Sequence, residues 1–166
     1  MPKLIKNNEL TENISQTLDK DFSGKVDEVL ANKGTVLTPK EYWLENSEQL
    51  AGKENIGIWL DSDEGPEELS PHIEKLSLIA INFPKFADGR GYSYARILRD
   101  RLGFKGELRA IGDIMHDQMF YLKRCGFNSF AVREDKNAEV VITGLNDFSE
   151  CYQAATVQDK PLFRRR

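Results

Sequence analysis

Cysteine and histidine are scarce in this 166-residue chain, with two of each. Cys125 and Cys151 have no metal-ligand spacing and form no C-x-x-C pair, which argues against a disulfide framework or a metal site. An iron–sulfur cluster held within one chain normally takes four thiolates, so that centre is excluded too. His72 and His116 have no second histidine nearby and read as surface residues. No apolar run approaches the roughly 20 residues that span a bilayer. Met1–Lys6 lacks the apolar core of a signal peptide, so a cytoplasmic location and no membrane contact are expected. There is no G-x-G-x-x-G, P-loop or haem-attachment motif, no repeat and no low-complexity tract. No cofactor and no metal are therefore expected. Arginine is missing from the first 89 positions: all ten arginines lie at or after Arg90.

What is present begins with apolar content, at 40% of residues, enough for a real core in one domain. The pattern divides into a weakly patterned extension over 1–33, an α/β domain over 34–158 and a basic tail over 159–166. The net charge of −4 is unevenly spread. Residues 1–75 carry 8 lysines against 16 acidic residues, whereas 76–166 carry 15 basic against 11 acidic residues. Arginine grips planar anions and carboxylates better than lysine does. The second half therefore presents either solvated ion pairs or a surface for an anion or an acidic partner. A pI near 5.3 without a recognition motif speaks against nucleic acid.

From Gly34 the periodicity sharpens. Strands are expected at Thr35–Leu37, Ile56–Leu60, Leu78–Phe83, Glu107–Ile111 and Ser129–Val132, with a short one at Lys3–Lys6. Leu78–Phe83 is an apolar run too short for its own helix, as suits a strand buried on both faces. Thr38, Pro39 and Glu41 resemble a capping box opening a helix to about Leu50. Further helical stretches are expected within 9–31, at Glu67–Leu76, at Tyr92–Leu102 with Arg99 outward, and at His116–Cys125. Another is expected at Ala138–Ala155, burying Leu145, Phe148 and Tyr152. About five β–α units result, the rhythm of a mostly parallel sheet. The chain is too short for a complete eight-stranded barrel, which leaves an open sheet or a partial-barrel arc.

In such folds ligands gather at the carboxyl ends of strands. Those ends carry Asp61, Asp63 and Glu64, then Lys85, Asp88 and Arg90, then Asp113, then Arg133 and Glu134. Asp88-Gly89-Arg90-Gly91, followed by Ser93, is the most distinctive piece. Its glycines permit positive φ and close approach, and it opens a helix where N–H groups attract anions. Lys85, Asp88, Gly89, Arg90, Gly91, Ser93 and Arg133 are thus candidates for holding a small sulfur or phosphorus oxyanion. The competing reading is a tight turn in which Asp88 caps the helix and Arg90 pairs with an acid. Asp113 is the candidate proton-transfer residue, or else a helix cap. Cys125, Trp43 and Trp59 read as packing residues.

Phe83-Pro84-Lys85-Phe86, Asp88–Ser93, Ala95-Arg96, Leu98-Arg99, Gly106–Ala110, Gly112-Asp113, Asp117-Gln118 and Arg124–Phe127 resemble the signature of bacterial domain-of-unknown-function family 934. Pro161–Arg166 is similar to that family's usual ending. The resemblance covers about residues 35–166, and the first 30 match poorly. The family is commonly labelled an oxidoreductase involved in sulfite reduction, so the resemblance implies a sulfur-assimilation context without assigning catalytic residues. At His116 the chain departs from the basic residue, usually arginine, that the resemblance leads one to expect, which weighs against a catalytic His116. With no cofactor motif in the sequence, the leading expectation is an accessory or interaction protein for sulfite reductase subunits. The alternative is a small-molecule enzyme or anion-binding domain acting at the strand-end rim.

Overall fold

The computed structural model describes residues 3–165. Met1, Pro2 and the last arginine of the expected tail, Arg166, lie outside the described residues. Eight strands form one sheet: β1 (Lys3–Lys6), β2 (Glu9–Glu12), β3 (Gln16–Thr17), β4 (Val36–Pro39), β5 (Ile56–Leu60), β6 (Leu78–Phe83), β7 (Glu107–Gly112) and β8 (Ser129–Val132). Their order is β2-β1-β8-β7-β6-β5-β4-β3. Strands β3 to β8 run parallel in sequence order. Strand β1 is antiparallel to both β8 and β2. The expected mostly parallel, partial-barrel sheet is the fold.

Parallel neighbours taken in sequence order need crossovers of one hand, and right-handed crossovers put every connector on the same face. The packing shows it. Ile56, Ile58 and Leu60 of β5 and Ile79, Ile81 and Phe83 of β6 share one cluster with Trp43, Leu50, Leu69, Leu98 and Met119 from the connectors. The alternate strand positions Leu37, Trp59, Leu78 and Ala80 form a second cluster on the opposite face, with Ile111 against it. Those connectors are α1 (Val26–Leu30), α2 (Lys40–Glu45), α3 (Ser47–Leu50), a 3₁₀ segment (Glu67–Lys75), α4 (Arg90–Arg96) running into a π-type turn (Ile97–Arg101), and α5 (His116–Arg124); α6 (Ala138–Thr143) follows β8.

The sheet must curl. Strands β2 and β3 are its two edges, yet only Asn13, Ile14 and Ser15 lie between them. Four Cα steps reach about 15 Å, whereas the edges of a flat eight-stranded sheet stand about 34 Å apart. The result is a curled half-barrel whose helix-free face is concave and crossed by the amino-terminal segment. Trp59 Nε1–H donates to the Leu18 carbonyl at 2.9 Å. On this face Arg109 is 4% exposed. It donates to Glu107 Oε1 from Nε at 2.9 Å and from Nη2 at 2.6 Å, and from Nη1 to Ser15 Oγ at 3.0 Å. Lys6 of β1 reaches the other Glu107 oxygen at 2.6 Å.

Four local expectations need correction. Residues 9–31 hold two short strands and one five-residue helix rather than helical pieces; β2 and β3 take up backbone pairing with β1 and β4, and Ile14, which an apolar helix face would bury, is left 76% exposed. Thr38 does not cap a helix: its hydroxyl is buried and donates to the Gly57 carbonyl at 3.1 Å. Arg99 turns inward, donating to the carbonyls of Gly126, Phe104 and Gly106 at 3.0, 2.7 and 2.9 Å and lying over the Phe104 ring. It ties the end of the α4 helix to the turns before β7 and β8, and burial lowers its pKa. Finally, α6 stops at Thr143, tightens into a 3₁₀ turn at Gly144–Asn146 and leaves Phe148 and Tyr152 exposed rather than buried. Gly144 sits so close to the His116 carbonyl that a Cβ there would collide.

Burial opposes ionisation of Glu107, but Arg109 and Lys6 outweigh it and hold the carboxyl below its usual range. Its contribution to stability is complete above the unfolded glutamate value of about 4.3 and disappears as pH falls through the lower folded value. Glu107→Gln leaves Arg109 buried without an anion and should cost about 3 kcal/mol at neutral pH. Urea unfolding across pH should show that cost shrinking in acid as the native Glu107 protonates; a pH-independent difference would mean the carboxylate charge is not what matters.

Candidate functional site

The parallel register brings the expected strand-end residues to one rim and resolves them into two clusters. Beside β5 and β6, Arg90 donates to Asp88 from Nε at 3.0 Å and from Nη2 at 2.6 Å, and from Nη2 to Ser62 Oγ at 2.9 Å. The Arg90 hydrogen bond, first among the causes, holds the Asp88 carboxyl well below the carboxylate range. Asp61 accepts from Asn82 Nδ2 at 3.1 Å and from the Ser62 N–H at 2.8 Å, and Lys20 lies 3.3 Å away. Burial raises the Asp61 pKa, but those three partners prevail and the net shift is downward. Beside β7 and β8, Arg133 forks onto Asp135 at 2.9 and 3.1 Å and reaches Asp113 at 3.5 Å. Both candidate guanidinium groups are therefore engaged by carboxylates of their own loops. Lys85 and Ser93 are exposed.

The glycines serve a different purpose from the expected one. Gly89 has φ −89°, and the described glycines with positive φ are Gly52, Gly103, Gly112 and Gly126. Gly91 is there for packing: a Cβ would lie 2.6 Å from Phe83 Cζ and 3.0 Å from Ile81 Cγ2. The left-handed position is Gly112 (φ +95°), where a Cβ would run into the Phe83 carbonyl. That turn carries Asp113, whose N–H donates to Phe83 O at 2.7 Å. Asp113 does not cap α5; the Met115 N–H at the helix start is met by Gln118 Oε1 at 2.9 Å.

The second notable region is the lobe formed by residues 147–165. It is closed on itself by Leu162 N–H to Tyr152 O at 2.9 Å and by Arg165, which bonds Glu150 at 3.1 Å and the Cys151 carbonyl. It is fastened to α5 by Arg124, which donates to Gln153 O at 3.0 Å, and to the π-type turn by Thr156 and Asp100 at 3.3 Å. Phe148, Tyr152 and Phe163 are 63%, 66% and 60% exposed, and Arg164 lies over the Phe163 ring. Between the lobe and α5 is a cavity of about 430 Å³. A mixed-charge cleft of about 590 Å³ opens around Lys6, Glu107 and Arg109, where β7 begins.

With this geometry in view, residues 57–163 match the family described as "Bacterial protein of unknown function (DUF934)". The chain belongs to that family. No curated protein and no solved structure matches it. The DUF934 span begins inside β5 and runs to Phe163, so it takes in both rim clusters except Lys20 and nearly the whole lobe, while β1 to β4 precede it. Among the described residues no group of three or more His, Cys, Asp and Glu side chains could hold a metal ion, and no helix is long and apolar enough to cross a membrane. Cys125 is buried, and burial raises its thiol pKa.

Sequence reasoning missed Ser62, Lys20 and Asn82 at the rim and Lys123 at the lobe; Arg124 and Arg165 entered it only as members of a family-like motif and of the basic tail. Ser62 and Lys20 offered no periodic signal, because their partners lie 28 and 41 residues away. Gly112→Ala forces an L-residue into a left-handed conformation against a carbonyl and should destabilise the fold by about 2 kcal/mol. Urea unfolding of the DUF934 chain and its variant checks this, and equal midpoints would show the β7 turn to be unstrained by a side chain.

Proposed function

We propose that this protein is an interaction module serving bacterial sulfite assimilation, and that residues 147–165 form the surface it offers to acidic sulfite reductase subunits. The observation that carries the reading is the cluster of solvent-facing Phe148, Tyr152, Val157 and Phe163 on one short segment, with Lys160 and Arg164 exposed beside them. Contiguous exposed apolar groups rimmed by polar ones mark interaction sites. Aromatic residues and arginine are the groups that carry binding energy in such contacts. Several of these side chains are held by a folded lobe, so a partner meets partly ordered rings rather than a loose tail. The excess of basic residues beyond position 75 supplies complementarity to an acidic surface. The sulfur context comes from the family resemblance. An oxyanion site at the rim is the weaker reading, because Arg90 and Arg133 already grip Asp88 and Asp135.

Titration with purified sulfite reductase subunits tests this. Full-length protein should bind, Phe163→Ala should weaken binding about tenfold, and removal of Pro161–Arg166 should weaken it most at low salt. Absence of binding, or affinities equal to the parent chain's at every salt concentration, would overturn the assignment.

A further inference from the structure

We propose that the cavity beneath the lobe is a binding site for a small amphipathic anion, a carboxylate carried on an apolar chain or ring. Among the described residues the charged side chains lining the cavity are Lys123, Arg124 and Arg165, with no acidic one. The large cleft around Lys6, Glu107 and Arg109 differs, since its three cations are accompanied by Glu12, Glu54 and Glu107. Phe120, Leu145, Phe148 and Val157 form the apolar part of the remaining wall, beside four uncharged polar residues. At about 430 Å³ it falls within the range of ligand pockets, and an apolar wall with a few converging charged groups is their usual make-up.

Two details place the ligand's head and tail. Lys123 is half-buried, and among the described residues its ammonium has no hydrogen-bond or ion-pair partner. Arg165 spends its Nη groups on Glu150 and the Cys151 carbonyl, and its buried Nε–H is left without an acceptor. Such donors are costly to bury unpaired and favour an anion that meets them. A second, smaller cavity of about 180 Å³ shares Lys123, Leu145 and Val157 with the first and is otherwise bounded by Phe127, Phe130 and three asparagines. The carboxylate thus sits at Lys123, with the tail running toward those two rings. This site does not depend on the docking reading, although Phe148 and Val157 belong to both.

Isothermal titration of the full chain with octanoate should give saturable one-to-one binding. 1-Octanol, which lacks the charge, and butyrate, which lacks the tail, should each bind about tenfold more weakly or worse. Lys123→Met should reproduce the loss seen with octanol, while Lys123→Arg retains binding. Val157→Trp, at a half-exposed position common to both cavities, should block octanoate with circular dichroism unchanged. No saturation at millimolar octanoate, equal binding of octanol, or unaltered affinity in folded Lys123→Met would each overturn the site. Sulfite reductase binding measured on Lys123→Met separates the two ideas, since docking through Phe163 does not need Lys123.

Discussion

The three-residue connection between β2 and β3 is the constraint on which the rest depends. It joins the opposite edges of an eight-stranded sheet, and a chain that short cannot cross a flat one. Curling follows, and it divides the molecule into unlike faces. The convex face takes all the crossover helices and the large core. The concave face keeps a small cluster around Trp59 and Leu78 and a buried ion network. Arg109 belongs to that network for a physical reason. A guanidinium at the concave centre can fork onto Glu107 while a third N–H reaches Ser15 on the crossing strand connection, so one side chain fastens the closing segment to the middle of the sheet.

The same topology distributes function. Parallel strands in sequence order send their carboxyl ends to one rim, where acidic and basic side chains neutralise one another within their own loops. The final segment has no further strand to cover and folds on itself instead. It exposes rings, and it encloses a cavity whose charged lining is wholly basic. Within residues 147–165 Asp147, Glu150 and Asp159 balance Lys160, Arg164 and Arg165, so the basic character belongs to the cavity that the aromatic lobe shares with α5 and not to the lobe as a whole.

Much of the sheet was legible because buried parallel strands announce themselves. Ile56–Leu60 and Leu78–Phe83 are continuous apolar runs with breaker residues nearby, and both lie where expected. The amino-terminal strands were not legible. Strand β3 is two residues long and β2 exposes all four of its residues, so neither carries the alternation that marks a strand; pairing alone defines them. Arg99 was misplaced because its periodicity says surface while the bonds that hold it come from carbonyls of later turns, which no pattern encodes. At the rim, residue types and rough location were readable, but not that Asp88 would occupy Arg90, since that turns on the geometry of one loop. Phe148 and Tyr152 fit a helical spacing, and the close approach at Gly144 that ends the helix is a tertiary event.

Amide hydrogen exchange across the sheet tests the central claim, that residues 3–17 close the half-barrel as part of its core. Strand β1 lies between β2 and β8, so its amides should open only with the whole fold, with the same free energy as those of β6 and β7. Exchange in β1 much faster than in β6 and β7 would show that the amino-terminal strands open independently, and the account of a sheet held curled by its closing segment would fail.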